Sequence, residues 1–191
     1  MSSNAGTTGG LAQDPDSGTL YLSSTDNDSL YTLDLATGAA TLVGAYGDST
    51  LVMHGLEWDS STGTLYGGSN GNLYSINPAT GAATLIGATG IGNSFVNLGY
   101  DSINNVLYLT HSSTDSLYTV NRATGVATLV GALGGGNTNP QSLAFDPFKN
   151  VLYVFDTGSD NLSTLDRTTG AATATGAIST LNILGLVCHQ P

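Results

Sequence analysis

The pattern of apolar and polar positions repeats four times along this chain. Each copy contains short apolar segments, several of them centred on a Leu-Tyr pair, separated by turns rich in Gly, Asn, Asp and Ser. Short apolar segments bounded by turn residues predict β-strands, four in each copy. No stretch shows sustained helical periodicity with a cap at either end. The sequence therefore predicts an all-β protein.

A Thr-Gly turn occupies the same position in every copy and sets the period. It reads (Asp/Asn)-x-(Ala/Thr)-Thr-Gly, and its successive glycines are 43, 44 and 45 residues apart. We interpret the first residue as the acceptor of an Asx-turn and the glycine as the left-handed residue that closes a short hairpin. These turn residues are Asp34 and Gly38, Asn77 and Gly81, Asn121 and Gly125, and Asp166 and Gly170.

A period near 44 residues with four short strands per copy predicts a β-propeller with one four-stranded blade per repeat. The two residues of a pair such as Leu20-Tyr21 point to opposite faces of a strand, so both faces must be covered, as they are between stacked blades. We expect a single domain over residues 1–191, with blades at approximately 8–48, 52–92, 95–136 and 140–178. Residues 181–188 are predicted to form an extra C-terminal strand.

The sequence leaves three arrangements of these blades open. They are a rare four-bladed ring, a homodimer in which two chains supply eight blades, and a fragment whose extra strand pairs elsewhere. Unclosed sheet edges promote aggregation, which favours self-association as a homodimer.

The segments Leu33–Gly38 and Leu165–Gly170 resemble the hairpin of quinoprotein-type propeller repeats. The whole chain also resembles bacterial surface and secreted proteins of the YVTN and NHL-like propeller group. Quinoproteins place a docking Trp a few residues after the Thr-Gly turn, whereas the only Trp of this chain is Trp58, before the second turn. The paired cysteines found in many of those enzymes are also absent, because Cys188 is the only cysteine. The resemblance implies propeller architecture and not cofactor binding.

Charge excludes several classes of function. Fourteen acidic and three basic residues give a net charge of −11. Three basic residues cannot neutralise the phosphates of a nucleic acid or of lipid head groups. We therefore expect no nucleic-acid partner and no attraction to anionic membranes. No apolar run is long enough to insert into a membrane. The acidic composition suits an extracellular or cell-surface parent protein, although the first ten residues show no signal-peptide pattern.

Two histidines and the only glutamate are the candidate catalytic residues. His54 lies just before the first strand of the second blade, and His111 ends the second strand of the third blade. Propeller loops of these two kinds open on one face, so the pair predicts a metal-dependent lyase or hydrolase as an alternative function. Glu57 is the candidate third ligand or general base. Its spacing of three from His54 tends to place the two side chains on opposite sides of a strand.

Acidic residues in the loops between second and third strands are weak candidates for calcium ligands. They are Asp26 and Asp28 in the first blade, and Asp156 and Asp160 in the fourth. No downstream glutamate completes an EF-hand pattern, and turn chemistry explains these residues without a metal.

No Gly-x-Ser-x-Gly elbow and no phosphate-binding loop followed by a helix occurs in the sequence. The first functional hypothesis is therefore a non-enzymatic module without a cofactor, which binds a protein or glycan ligand or serves as a scaffold in a bacterial extracellular or surface protein. The metal-dependent lyase or hydrolase is one alternative. The other is an engineered or excised propeller fragment whose main property is self-assembly.

Overall fold

A computed structural model describes residues 5–177 and confirms the predicted all-β propeller. Sixteen strands form four antiparallel sheets of four strands, and each sheet is one blade. Within the described residues, no helix is long and apolar enough to cross a bilayer. The predicted strand at 181–188 lies outside the described residues.

The strands follow one another through the blades in chain order. Blade 1 contains β1 (Thr8–Gln13), β2 (Leu20–Ser24), β3 (Ser29–Leu33) and β4 (Ala40–Ala45). Blade 2 contains β5 (Gly55–Asp59), β6 (Thr64–Ser69), β7 (Asn72–Ile76) and β8 (Ala83–Ala88). Blade 3 contains β9 (Val96–Asp101), β10 (Val106–His111), β11 (Ser116–Val120) and β12 (Ala127–Ala132). Blade 4 contains β13 (Pro140–Asp146), β14 (Val151–Asp156), β15 (Asn161–Leu165) and β16 (Ala172–Ala177).

The first strand of each blade is its innermost strand. Across the interfaces, β1 packs against β5, β5 against β9, and β9 against β13. In the described part of the chain, β13 and β1 do not pack extensively against each other. Small residues allow this close approach: a Cβ added to Gly99 would lie 2.9 Å from Leu143 of the next blade. Ala12 and Ala144 occupy the equivalent position in blades 1 and 4, whereas blade 2 has Glu57 there.

The hydrophobic core lies between consecutive blades, in three main clusters. Leu30 of blade 1 packs with Leu65 of blade 2, Leu73 of blade 2 with Leu107 of blade 3, and Leu117 of blade 3 with Leu152 of blade 4. Each of these leucines is at most 1% exposed, and full burial of one such side chain is worth about 1.5–3 kcal/mol. The blades are therefore held together mainly by apolar surface that no blade could bury alone.

A second contact repeats at every interface, nearer the outer strands. A glycine in the fourth strand of one blade lies against the Thr-Gly turn of the next, and a Cβ at Gly44, Gly87 or Gly131 would overlap the carbonyl of Thr80, Thr124 or Thr169. Beside it, a backbone N–H of the next blade donates to a carbonyl of the preceding one, at 2.8–2.9 Å. We call this glycine-to-turn contact the joint. The backbone donors and acceptors are Ala83 to Tyr46, Ala127 to Thr89, and Ala172 to Leu133.

Two of the three interfaces add an ion pair. The Arg122 guanidinium of blade 3 donates to Asp59 of blade 2, and Arg167 of blade 4 donates to Asp101 of blade 3. Both carboxylates are fully buried, and each guanidinium also lies over an aromatic ring of its own blade, Tyr100 or Phe145. These pairs link the Thr-Gly turn of one blade to the inner strand of the blade before it.

Candidate functional site

The acid or amide that opens each Thr-Gly turn is engaged by its own backbone. Asp34 Oδ1 accepts N–H groups from Ala36 and Thr37 at 2.8 and 3.1 Å, and its carbonyl accepts Gly38 N–H at 2.7 Å. Asn121 and Asp166 make the corresponding contacts, and Asn77 accepts the Ala79 N–H with Oδ1 and the Gly81 N–H with its carbonyl. The closing glycines all have positive φ, between 71° and 80°, and in this region glycine has no steric cost. These residues shape hairpins and are not gathered into a ligand set.

The carboxylates that end β5 and β9 are engaged by the interface arginines. Burial opposes ionisation of Asp59, but hydrogen bonds from Ser61 and Arg122 outweigh it, so its pKa lies below the ordinary value. Asp101 has a lowered pKa for the same reasons: burial opposes ionisation, while hydrogen bonds from Asn104 and Arg167 favour it. Both groups are therefore charged and paired at neutral pH.

The candidate calcium ligands lie in two separate blades. In blade 1, Asp26 Oδ2 accepts Thr7 N–H at 2.7 Å, and Asp28 has a left-handed φ of 46°. In blade 4, the Asp156 oxygens accept Asn139 and Ser159 N–H groups at 2.6 and 2.7 Å, and Asp160 has a φ of 53°. Over residues 5–177, no group of three or more His, Cys, Asp or Glu side chains is placed to hold a metal ion.

His54, Glu57 and His111 occupy three different environments. The His54 ring meets the Phe95 ring edge-on, with centroids 4.2 Å apart, and burial lowers its pKa. His111 is buried; its Nδ1 lies 3.4 Å from Thr114 Oγ1, and its Nε2 has no hydrogen-bond partner among the described residues. Burial lowers the pKa of His111 as well, against a backbone hydrogen bond and the charge of Asp115.

Glu57 lies on the innermost strand of blade 2, at its interface with blade 3. Its Oε1 accepts the Trp58 N–H at 3.1 Å. Burial raises the pKa of Glu57 to about 8, although backbone hydrogen bonds from Trp58 and Tyr100 act in the opposite direction. This carboxyl is therefore largely protonated at neutral pH, and it is separate from the surroundings of His54.

A cavity of about 250 Å³ lies where the inner strands of all four blades begin. We call it the axial cavity, because residues at the starts of the innermost strands of all four blades line it. Its walls carry hydroxyl, amide and aromatic groups, and its lining contains no carboxylate and no basic side chain other than the histidine. The lining residues are Thr7, Thr8, Gly9, Thr25, His54, Phe95, Asn97 and Gln141.

Hydrogen bonds fix the two amides of the axial cavity. Asn97 Nδ2 donates to the Pro140 carbonyl at 3.0 Å, and Gln141 Nε2 donates to Asn139 Oδ1 at 2.7 Å. Phe95 is 47% exposed at the cavity wall. Sequence reasoning selected His54 and missed Phe95, Asn97 and Gln141. The signal that could have found them is the lack of repetition, since these positions differ from blade to blade while the strands after them repeat.

Comparison with protein families identifies a repeat in the first half of the chain. The family described as a repeat of unknown function (DUF6923) matches residues 1–97, which is half of the chain and includes both strands and turns of blades 1 and 2. The chain belongs to the DUF6923 family. No protein of curated function matches this DUF6923 chain.

Solved structures similar to this DUF6923 protein share its fold. Virginiamycin B lyase from Staphylococcus aureus has a TM-score of 0.63 at 13% identity, over 89% of this chain and 55% of that one. A protein of unknown function from Bacteroides thetaiotaomicron has a TM-score of 0.71 at 19% identity, over 86% and 46%. A nidogen/laminin complex matches with a TM-score of 0.65 at 18% identity, over 87% and 63%. The DUF6923 chain thus spans about half the length of these structures, and likeness at such identity shows the fold alone.

Proposed function

We propose that this protein is a non-enzymatic binding module of a bacterial extracellular or cell-surface protein, and that its axial cavity binds a neutral glycan segment. The observation that carries the proposal is the composition of the cavity. On a chain with a net charge of −11, a cavity to which all four blades contribute is lined by neutral polar groups, a histidine and an exposed aromatic ring. A neutral polyhydroxylated ligand fits such a lining.

The cavity offers both kinds of contact that a sugar ring uses. The half-exposed Phe95 ring provides an apolar surface for the C–H face of a sugar, and its T-shaped contact with the His54 ring supports it. The threonine hydroxyls and the amides of Asn97 and Gln141 provide donors and acceptors for sugar hydroxyls. Because burial lowers the pKa of His54, this side chain is neutral at neutral pH and adds no charge to the site.

Glycan-array binding followed by calorimetry tests this proposal. We expect neutral glycans to bind, and Phe95→Ala to weaken the binding about tenfold or more, which is the size expected for a lost stacking contact at the centre of a site. The matched control is Phe148→Ala, because Phe148 is 72% exposed and lies outside the axial cavity. Equal binding by both variants would contradict the assignment of the cavity, and a preference for a peptide ligand would replace glycan with protein as its partner.

A metal-dependent lyase that uses His54 and His111 is the second candidate. Two of the solved propellers that match this chain, virginiamycin B lyase and streptogramin B lyase, are named as lyases. The buried Nε2 of His111 also lacks a hydrogen-bond partner in the described part of the chain. The test is the metal content of the purified protein by mass spectrometry: a stoichiometric divalent metal that is lost in His54→Ala would favour the lyase over the binding module.

A further inference from the structure

Each end blade exposes one half of the joint that links the internal blades. At the three internal joints, the glycine of the fourth strand faces the Thr-Gly turn of the next blade. Gly176 holds this position in blade 4, and a Cβ built on it meets nothing within 4 Å among the described residues. Gly38 holds the turn position in blade 1, and a Cβ there also meets nothing. The two half-joints are complementary and lie on the same molecule.

The apolar face of blade 4 around Gly176 is incompletely covered. Leu162 is partly exposed, whereas its equivalents in the other three blades are fully buried. Tyr153 is also partly exposed, although the equivalent tyrosines are 6–8% exposed. The buried equivalents are Leu30, Leu73 and Leu117, and Tyr21, Tyr66 and Tyr108. Blade 4 therefore presents the surface that the next blade covers at every internal interface.

The opposite face of blade 1 is covered only in part: Leu22, Tyr31 and Ala40 are buried there together with Ala5. Leu11 and Leu33 are partly exposed, whereas the equivalent residues of blades 2 to 4 are 2–6% exposed. Those residues are Leu56, Leu98 and Leu143 on the first strands, and Ile76, Val120 and Leu165 on the third strands. Blade 1 thus leaves incompletely covered one part of the surface that meets a preceding blade.

Among the described residues, neither end blade forms an inter-blade ion pair at its free face. Asp146 is the blade 4 equivalent of Asp59 and Asp101, and its side chain is 14% exposed. Its Oδ1 accepts the Phe148 and Lys149 N–H groups, and its Oδ2 pairs with the exposed Lys149 ammonium of the same blade at 3.4 Å. Leu35 of blade 1 holds the position of the interface arginines and is 64% exposed. The joint between blades 1 and 2 also lacks an arginine at this position, where Pro78 stands, so a joint forms without the ion pair.

We propose that blade 1 of a second copy docks on blade 4 of the first, and that the reciprocal contact closes a two-fold ring of eight blades. Both new interfaces repeat the internal joint, with Thr37 and Gly38 of one copy seated on Gly176 of the other. Each copy supplies an arc of four blades. Two such arcs make one ring, and closure removes the exposed blade faces.

The substitution Gly176→Ala tests the joint without disturbing a single copy. The added methyl meets no described residue of its own chain, but in the docked ring it would overlap the partner's Thr37 carbonyl, as a methyl at Gly44, Gly87 or Gly131 would overlap a turn carbonyl inside the chain. Light scattering across a dilution series should give twice 19.3 kDa for the parent protein. We expect Gly176→Ala to weaken the dimer about tenfold or more, because overlap in a packed interface is not readily relaxed. At dilutions where both proteins are monomers, the variant and the parent should have the same thermal unfolding midpoint.

Leu129→Ala is the matched control, because Leu129 is 60% exposed on the outer strand of blade 3 and belongs to no joint. It should dimerise like the parent. A parent protein that stays monomeric, a parent that forms larger open assemblies, or a Gly176→Ala variant that keeps the parent's dimer affinity would each overturn the proposal.

A gain of affinity provides a second, independent measurement. Leu35→Arg should place a guanidinium against Asp146 of the partner and tighten the dimer about two- to fivefold, the effect of a partly exposed ion pair. Adding Asp146→Asn to the same chain should remove the gain. If the double variant keeps the tighter dimer affinity of Leu35→Arg, the arginine does not act through the proposed joint.

Discussion

Replacing Glu57 by Gln should remove the loss of stability that Glu57 causes as the pH rises from mildly acid to mildly alkaline conditions. Glu57 holds a position between inner strands where the other blades have Ala or Gly. Burial there raises its pKa to about 8 from an ordinary value of 4.5. The folded protein therefore keeps a proton on this carboxyl that the unfolded chain has already released over most of this interval.

The sign and size of the effect follow from this difference in proton binding. The stabilising contribution is fully present below pH 4.5, the pKa of the unfolded chain, and is lost as the pH rises towards 8, the pKa of the folded state. At 1.36 kcal/mol for each pH unit, the interval corresponds to about 5 kcal/mol. Because the Glu57 side chain keeps partial contact with solvent, this value is a ceiling, and we expect a loss of about 2–3 kcal/mol.

Urea unfolding at about pH 5 and about pH 9 measures the loss directly. The parent protein should lose about 2–3 kcal/mol over this interval relative to Glu57→Gln, whose amide mimics the protonated carboxyl in shape and charge. The lowered pKa values of His54 and His111 act in the opposite direction, favouring the folded state above their unfolded pKa. They are present in both proteins and cancel in the difference. An identical pH slope for both proteins, or a variant less stable than the parent at the alkaline end, would refute the reasoning.

Three further predictions concern the blade interfaces and turns. Arg122→Ala leaves the buried Asp59 carboxylate without its ion-pair partner and should lower the free energy of unfolding in urea by about 3–5 kcal/mol. Lys149→Ala removes an exposed pair and should lower it by less than about 1 kcal/mol; equal losses would contradict the interface role of Arg122. Asn121→Ala removes the side-chain acceptor of its turn and should cost about 1 kcal/mol, and an unchanged unfolding midpoint would argue against it. Hydrogen exchange should be fastest in blade 4, where the buried Ser163 Oγ has no partner among the described residues; uniform protection of the four blades would be the contrary result.

Local features of the chain were sufficient to predict the blades. The Thr-Gly turn depends on contacts within five residues, such as those from Ala36 and Thr37 to Asp34, and glycine is needed there by its positive φ. Leu-Tyr pairs require two covered faces, and their period gives the blade size. Short stretches of sequence therefore determine the strand positions, the turn chemistry and the number of blades.

The relations between blades were decided by the tertiary structure. Arg122 reaches Asp59 across 63 residues, and no pattern within a single repeat connects them. The same holds for the axial cavity: His54 was chosen from the sequence for its chemistry, but Phe95 and Gln141 become its neighbours only when the inner strands converge. The proton on Glu57 likewise depends on burial that a neighbouring blade provides. Local sequence sets the backbone of each blade, whereas packing between blades determines which side chains meet and which charges are buried.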